Sequence, residues 1–151
     1  MNFIIRAASI NDLDNGLLKV FIGGYRYHQN GRNDIYPNVS DEDLKQDLIE
    51  NFQKLSTIVI LDNNVVIGYL SYRIKEKYSK KLDVDQLVID EKYRNHGLGK
   101  KLIEEVKKIA LDNNCDRIEL NCWMFNENAL GMYEHIGFKK QRIIYEMLLD
   151  K

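Results

Sequence analysis

LDVDQLVIDEKYRNHGLG, residues 82–99, is the stretch whose reading decides the fold. Its first half, Leu82 to Ile89, alternates and then turns mostly apolar, the pattern of a buried or half-buried strand. Its second half holds Arg94-Asn95-His96-Gly97-Leu98-Gly99. Leu102, Ile103, Val106, Ile109 and Ala110 follow at the spacing of an amphipathic helix. A glycine-containing turn therefore joins the end of a strand to the start of a helix. At such a place backbone N–H groups lack intrahelical acceptors and the helix dipole is positive. It is a ready anion site, and glycine lets a phosphate approach the backbone closely.

Two familiar phosphate loops do not fit. The nucleotide P-loop needs Gly-x-x-x-x-Gly-Lys-Ser/Thr, which the chain lacks. The dinucleotide fingerprint needs a third glycine three residues after the second, and that position is Leu102. What remains is Arg94-x-x-Gly97-x-Gly99 after a strand. It resembles the pyrophosphate-binding motif of the GCN5-related N-acetyltransferase (GNAT) family, whose members bind acetyl-coenzyme A. A second stretch points the same way. After the strand-like run Arg117-Ile118-Glu119-Leu120-Asn121-Cys122 come Asn126, Ala129, Tyr133 and Gly137-Phe138. The family shows an Asn, an Ala three further on, a Tyr seven further on, and then Gly-Phe. Those spacings put Asn126, Ala129 and Tyr133 on one helix face. The resemblance covers Leu82 to Phe138, and the N-terminal half follows by its pattern of elements. One position departs: family members often carry Gly after the motif arginine, where this chain has Asn95.

In chain order, Phe3 to Arg6 reads as a first strand. Ser9 or Asn11 caps a helix carrying Leu13, Leu17, Phe21 and Ile22, which Gly23-Gly24 interrupts. Tyr25 to Asn38 reads as a solvated loop holding Tyr25, Tyr27, His28, Arg32, Asp34, Tyr36 and Pro37. The resemblance implies instead that it folds over the acceptor site. Ser40 with Asp41-Glu42-Asp43 marks a second helix start, and Leu44, Leu48, Ile49, Phe52 and Leu55 form its buried stripe. Thr57 to Leu61 and Val65 to Ile74 are strands joined by an Asp62-Asn63-Asn64 hairpin turn. Lys75 to Lys81 is a charged connection to the strand 82–89. Then come a helix over 100–113, a strand over 117–122, a helix over 126–136 and a last strand over 141–149. This order predicts one α/β (α+β) domain over 1–151, with a mixed, mainly antiparallel sheet and flanking helices. One strand pair is parallel, forced by the crossover helix. The resemblance implies that this pair splays and that coenzyme A enters the gap, its pantetheine lying along the strand 82–89.

At 151 residues the chain is long enough for one domain with a real core. Its formal charge of -1, from 22 basic and 23 acidic residues, makes no field to draw nucleic acid or an anionic membrane. The start, Met1-Asn-Phe-Ile-Ile-Arg6, meets charge too soon for a signal peptide. Cys115 and Cys122 fit a reducing compartment, so a cytoplasmic protein is expected. Without a matching set of cysteines and histidines they make no metal site. Cys122 reads as a strand cysteine, not a nucleophile. Oligomeric state stays open, a homodimer through the last strands being a form such domains frequently take.

Acetyl transfer to an amine needs a held thioester, a neutral amine, a stabilised oxyanion and a protonated leaving thiolate. The resemblance implies residues for these tasks. Arg94, Asn95, His96, Gly97, Leu98 and Gly99 hold the pyrophosphate; Lys100 and Lys101 either add positive charge nearby or are solvated on the helix. His96 contributes through its backbone. Backbone groups of Leu87, Val88 and Ile89 hold pantetheine, and an N–H there faces the thioester oxygen. Tyr133 is the general acid, a phenol of pKa about 10 facing a thiolate of about 8.5; without the motif it would be an ordinary helix aromatic. Asn126 holds the pantetheine or the acetyl carbonyl, caps its helix, or does both. Asp83, Asp85, Leu87 and Ile89 share one strand face by the period of two. Asp85 either relays a proton from the amine through water or forms a structural ion pair with Arg73 or Arg117. An alkyl ammonium of pKa about 10.4 makes such a relay useful. The acidic stretch Asp41, Glu42, Asp43 and Asp47 either favours a cationic acceptor or is a solvated face. The function expected is an acetyl-coenzyme A-dependent N-acetyltransferase acting on a primary amine of a small molecule or peptide. Direct attack in a ternary complex follows from the lack of a convincing nucleophile. The competing readings are a non-catalytic coenzyme A-binding sensor or interaction module, and an enzyme using a longer acyl donor.

Overall fold

The computed structural model describes residues 2–151. Runs rich in β-branched and aromatic residues build five strands: β1 Phe3–Ala7, β2 Ser56–Asp62, β3 Val65–Glu76, β4 Lys80–Ile89 and β5 Arg117–Leu120. They lie in the order β1-β2-β3-β4-β5. The first three pairings are antiparallel and β4–β5 is parallel, as a crossover through a helix requires. The helices are α1 Leu18–Gly31, α2 Asp41–Lys54, α3 Leu98–Asp112 and α4 Glu127–His135. The chain forms two compact units, Met1–Asn121 with the sheet and α1 to α3, and Cys122–Lys151 with α4.

Local chemistry explains most of these elements. Asn63 and Asn64 take φ of 49° and 68°, the left-handed pair that a two-residue hairpin needs. The Ser40 hydroxyl accepts from the Asp43 N–H at 3.1 Å and starts α2. Leu13, Leu17, Val20 and Phe21 pack with Leu48 against Val59, Leu61, Val66 and Tyr69. Helix α3 buries Leu102, Ile103, Val106 and Ala110, the stripe its spacing announces.

The expected break at Gly23-Gly24 does not occur. Helix α1 runs through both glycines to Gly31, and the chain leaves helical geometry earlier, at Asn15-Gly16. A Cβ on Gly24 would lie 2.9 Å from Val88 Cγ2, so the glycine is what lets α1 rest on β4. Glycine inside a helix costs about 1 kcal/mol, and tertiary contact overrides it. Tyr25, Tyr27 and His28 therefore ride on a helix, not in the expected loop.

The expected last strand over 141–149 is also absent: residues 139–151 carry neither helix nor strand. Its large apolar side chains, Ile143, Ile144, Tyr145, Met147, Leu148 and Leu149, are 74% to 89% exposed. A strand exists by its ladder, and β-propensity without a pairing neighbour does not make one.

A third correction concerns the faces of β4. Ser71 pairs with Gln86 and Tyr72 with Val84, which leaves Asp85 as the extra residue of a β-bulge. Beyond it, Gln86 and Val88 stand opposite Ser71 and Tyr69. Tyr69 packs on Phe21 with ring centroids 6.3 Å apart, so Gln86 and Val88 share the side that N-terminal helical segment covers. Asp83, opposite Arg73, shares that side, whereas Leu87 and Ile89 turn to the other. The four residues expected on one face are split by the bulge.

Near the start of the chain, Asp12 is 3% exposed and accepts from Arg6 Nη1 and Nη2 and from the Ser9 N–H, each at 2.8 Å. The guanidinium hydrogen bond holds its carboxyl below the usual range. A lowered folded pKa contributes stability that is complete above the unfolded value of about 3.9 and is lost as pH falls through the folded one. Asp12→Asn is expected to cost about 1–3 kcal/mol at pH 7. Melting curves of the two proteins should converge as pH drops below about 4.

Candidate active site

The loop after β4 is built from short-range bonds. The Asp90 N–H donates to Ile67 O at 2.8 Å, the last bond that β4 makes to β3. The Asp90 carboxylate then caps a single turn of 3-10 helix, Glu91–Tyr93, accepting from the Lys92 N–H at 2.9 Å. Arg94 leads into the bend. Asn95 and Gly97 take φ of 66° and 72°. Asn is among the side chains that best tolerate the left-handed region, so Asn95 keeps a turn that glycine often makes in the resembled family.

Gly97 is the N-cap of α3, and no side chain caps this helix. The first intrahelical bond runs from the Lys101 N–H to Gly97 O at 3.1 Å. The N–H groups of Leu98, Gly99 and Lys100 thus have no intrahelical acceptor, and they sit at the positive end of the dipole. No atom lies within 4 Å of where a Gly97 Cβ would stand. This cradle fits a phosphate-bearing ligand: open, donor-lined and glycine-faced. Arg94, Asn95, His96, Gly97 and Lys100 are exposed, while Leu98 and Gly99 are buried.

Side chains brace the loop from within. His96 Nδ1 lies 2.8 Å from Arg94 O and 3.2 Å from Tyr93 O. Both are acceptors, so Nδ1 carries the proton and the ring holds the loop. The Arg94 guanidinium stacks 5.7 Å from the centroid of the Tyr27 ring, and its Nε donates to Ile89 O at 3.4 Å. Tyr27 meets Arg94 from α1, a contact that the expected loop over residues 25–38 did not foresee.

Beside the loop, the sheet opens. The β4–β5 ladder runs from Lys81–Arg117 to Val84–Leu120 and stops, although β4 continues to Ile89. Antiparallel alternation from Asp90 turns the backbone groups of Val88 and Gln86 toward β3 and those of Leu87 and Ile89 away from it. Leu87 and Ile89 therefore present N–H and C=O along an edge with no ladder partner among the described residues.

The bulged Asp85 meets Arg73, whose Nη2 donates to its carboxylate at 2.8 Å. Asp83 lies 3.3 Å from Lys75 Nζ. Arg117, the other partner considered for Asp85, instead donates to Glu119 at 2.6 Å. The Asp85 side chain is 31% exposed, so this pair is of modest worth and open to exchange. Next to it the Tyr69 hydroxyl donates to Gln86 Oε1 at 2.7 Å. Burial, and then the Asp85 charge, push the Tyr69 phenol far above its ordinary range. In the acidic stretch, Asp41 stays largely exposed and pairs with Arg26 at 2.9 Å.

Asn126 and Tyr133 belong to the second unit. Asn126 caps α4, its side-chain oxygen accepting from the Ala129 N–H at 3.4 Å. The Tyr133 ring meets Phe138 edge-on, with centroids 5.6 Å apart, and the Phe138 N–H donates to Tyr133 O at 2.9 Å. Gly137, at φ 114°, makes the turn that brings Phe138 back. Burial raises the Tyr133 phenol well above its ordinary value, with Cys122 adding to the shift. Burial raises the Cys122 thiol as well, which leaves it protonated and a poor nucleophile near neutrality. Among the described residues no group of three or more His, Cys, Asp or Glu is placed to hold a metal. No helix there is long and apolar enough to cross a membrane. In a spectrophotometric titration of the wild type against Tyr133→Phe, the missing phenolate signal is expected only above about pH 10, the ordinary value for tyrosine. A difference developing below that value would contradict the buried phenol.

Residues 25–138 match the profile described as the Acetyltransferase (GNAT) family. Over 67 residues the chain is 28% identical to N-alpha-acetyltransferase 30 of Homo sapiens, a match covering 44% of this chain and 18% of that protein. Over 106 residues it is 29% identical to N-alpha-acetyltransferase 30 of Saccharomyces cerevisiae, covering 63% of this chain and 58% of that one. The chain thus spans well under the full length of the curated relatives it matches. Among solved structures, a mutant of the BH1408 protein from Bacillus halodurans superposes with a TM-score of 0.84 at 21% identity, over 97% of this chain and 99% of that chain. At that identity the likeness is one of fold.

Proposed function

The chain belongs to the Acetyltransferase (GNAT) family, and from that premise we propose that it is an acetyl-coenzyme A-dependent N-acetyltransferase whose acceptor is a primary amine of a small molecule or peptide. The observation that carries the reading is the uncapped start of α3 behind Gly97, with Arg94 in the same loop. Backbone donors, dipole and one permanent cation are what a diphosphate requires. The two free cysteines support a cytoplasmic setting.

In this reading Arg94, Asn95, His96, Gly97, Leu98, Gly99 and Lys100 hold the diphosphate. The Leu87 and Ile89 backbone edge takes the pantetheine amides. Val88 serves differently from the expectation: its backbone groups point into the sheet, and its side chain packs on Gly24. Bound acetyl-coenzyme A supplies the activated thioester. Tyr133 is the proposed proton donor to the departing thiol, and its raised pKa keeps that proton in place at neutral pH. Asn126 caps α4 and is proposed to steady the pantetheine. Asp85, bonded to Arg73, is proposed to draw a proton from the amine through water.

Coenzyme A is expected to raise the melting temperature, since a ligand bound only by the folded state stabilises it. Gly97→Asp should abolish the shift, because it sets a carboxylate and a strained φ of 72° in the cradle. No shift in the wild type at millimolar ligand overturns the cofactor assignment. A shift without thiol release from any amine would make the chain a binding module. Tyr133→Phe should lower turnover by about a hundredfold while leaving coenzyme A affinity nearly unchanged. Asp85→Asn should lower kcat/KM mainly on the acidic side of the profile, where most amine is protonated; equal rates from about pH 6 to 9 would make Asp85 structural.

A further inference from the structure

Besides the Arg94–Tyr27 ring contact, a long-range hydrogen bond holds the phosphate loop by its side chain, and it comes from a part of the sheet that no expectation connected with the site. Asp62 ends β2 beside the Asn63-Asn64 turn and is 8% exposed. Its Oδ2 accepts from the Tyr93 hydroxyl at 3.0 Å, and its Oδ1 from the Asn2 N–H at 3.3 Å. Tyr93 closes the 3-10 turn and directly precedes Arg94. We propose that Asp62 and Tyr93 are positioning residues for the cradle, their hydrogen bond setting the course of Arg94 to Gly97 and so the affinity for the diphosphate of coenzyme A. The inference rests on the reading of this loop as the coenzyme A site.

The other hydrogen bonds along Tyr93 to His96 are local: Tyr93 N–H to Asp90 O at 2.9 Å, Arg94 N–H to Glu91 O at 3.4 Å, and His96 Nδ1 to Arg94 O at 2.8 Å. Local bonds shape a loop without fixing where it stands. The start of the turn is fixed by the Asp90–Ile67 backbone bond. The Tyr93–Asp62 bond, spanning 31 positions in sequence, fixes its end on the β2–β3 hairpin. With the turn tethered at Tyr93 and the helix start anchored by buried Leu98, the bend Arg94 to Gly97 between them has little freedom left, and the ordering entropy is met in folding instead of at binding. The hydroxyl is a committed donor, since the bond to Asp62 raises its pKa.

The test compares coenzyme A, by calorimetry, with pantetheine, by NMR titration, which shares the thiol arm and lacks the diphosphate. Tyr93→Phe is expected to weaken coenzyme A about tenfold, the factor attached to one hydrogen bond to a charged group, and to leave pantetheine binding unchanged. Asp62→Asn keeps an acceptor oxygen and should retain most of the affinity, whereas Asp62→Leu should match Tyr93→Phe. The double variant Tyr93→Phe/Asp62→Leu should be no weaker than either single one. Equal losses for both ligands would reduce the pair to general stability and overturn the proposal, as would wild-type affinity in Tyr93→Phe. A wild type that binds no coenzyme A overturns the cofactor reading itself, a failure visible before any variant is made.

Discussion

The extra residue at Asp85 governs what the rest of the structure can do with β4. Before the bulge, Leu82 and Val84 are buried and the strand is laddered on both sides. After it, the parallel partner is gone and the faces have exchanged. Val88 goes under α1 at Gly24, and Leu87 and Ile89 expose their backbone along an open edge. Had the ladder continued to Ile89, those groups would be bonded to β5 and the edge closed. The bulge also leaves Asp85 beside Arg73 and 31% exposed, not among the apolar side chains.

The carboxylates divide by burial, and burial decides their work. Asp12 is fully enclosed and bonded by two guanidinium nitrogens and a backbone N–H. Removing one side of such a contact strands the other, so it holds structure. Asp62 is enclosed too but receives neutral donors, so it directs a hydroxyl rather than neutralising a cation. Asp85 keeps water access and one flexible arginine, a weak pair that can open. Three aspartates, one in the turn after β1 and two on the sheet, are thus an anchor, a guide and a candidate relay, distinguished by neighbours and not by sequence.

Local features were legible from the residues alone. The stripe of α3, the Asn63-Asn64 turn, the Ser40 cap and the glycine turn from strand to helix each depend on a few adjacent residues, and each is where it was expected. What failed depends on distant partners. Gly23-Gly24 reads as a breaker until Val88, far along the chain, is seen to need the space. A bulge in β4 follows from its pairing with β3, which alternation cannot reveal. The segment 141–149 has the residues of a strand and lacks a ladder. Tyr27 reaches Arg94 only once α1 runs past its glycines. The Asn126 and Tyr133 roles rest on motif resemblance; their immediate surroundings show a helix cap and a protonated phenol.

The way the cradle is made also bears on how pH acts on the proposed reaction. Its donors are the backbone N–H groups of Leu98, Gly99 and Lys100, which do not titrate, and Arg94, which stays charged. His96 Nδ1 is turned onto two loop carbonyls. The Tyr133 phenol and the Cys122 thiol are both driven upward by burial, away from neutrality. In the proposed reading the diphosphate is held by backbone donors and a guanidinium, which do not titrate across the working range. The step left to respond is deprotonation of the acceptor, an ammonium of pKa about 10.4 in water, and that places the pH dependence of the chemistry with the amine and whatever carries its proton away.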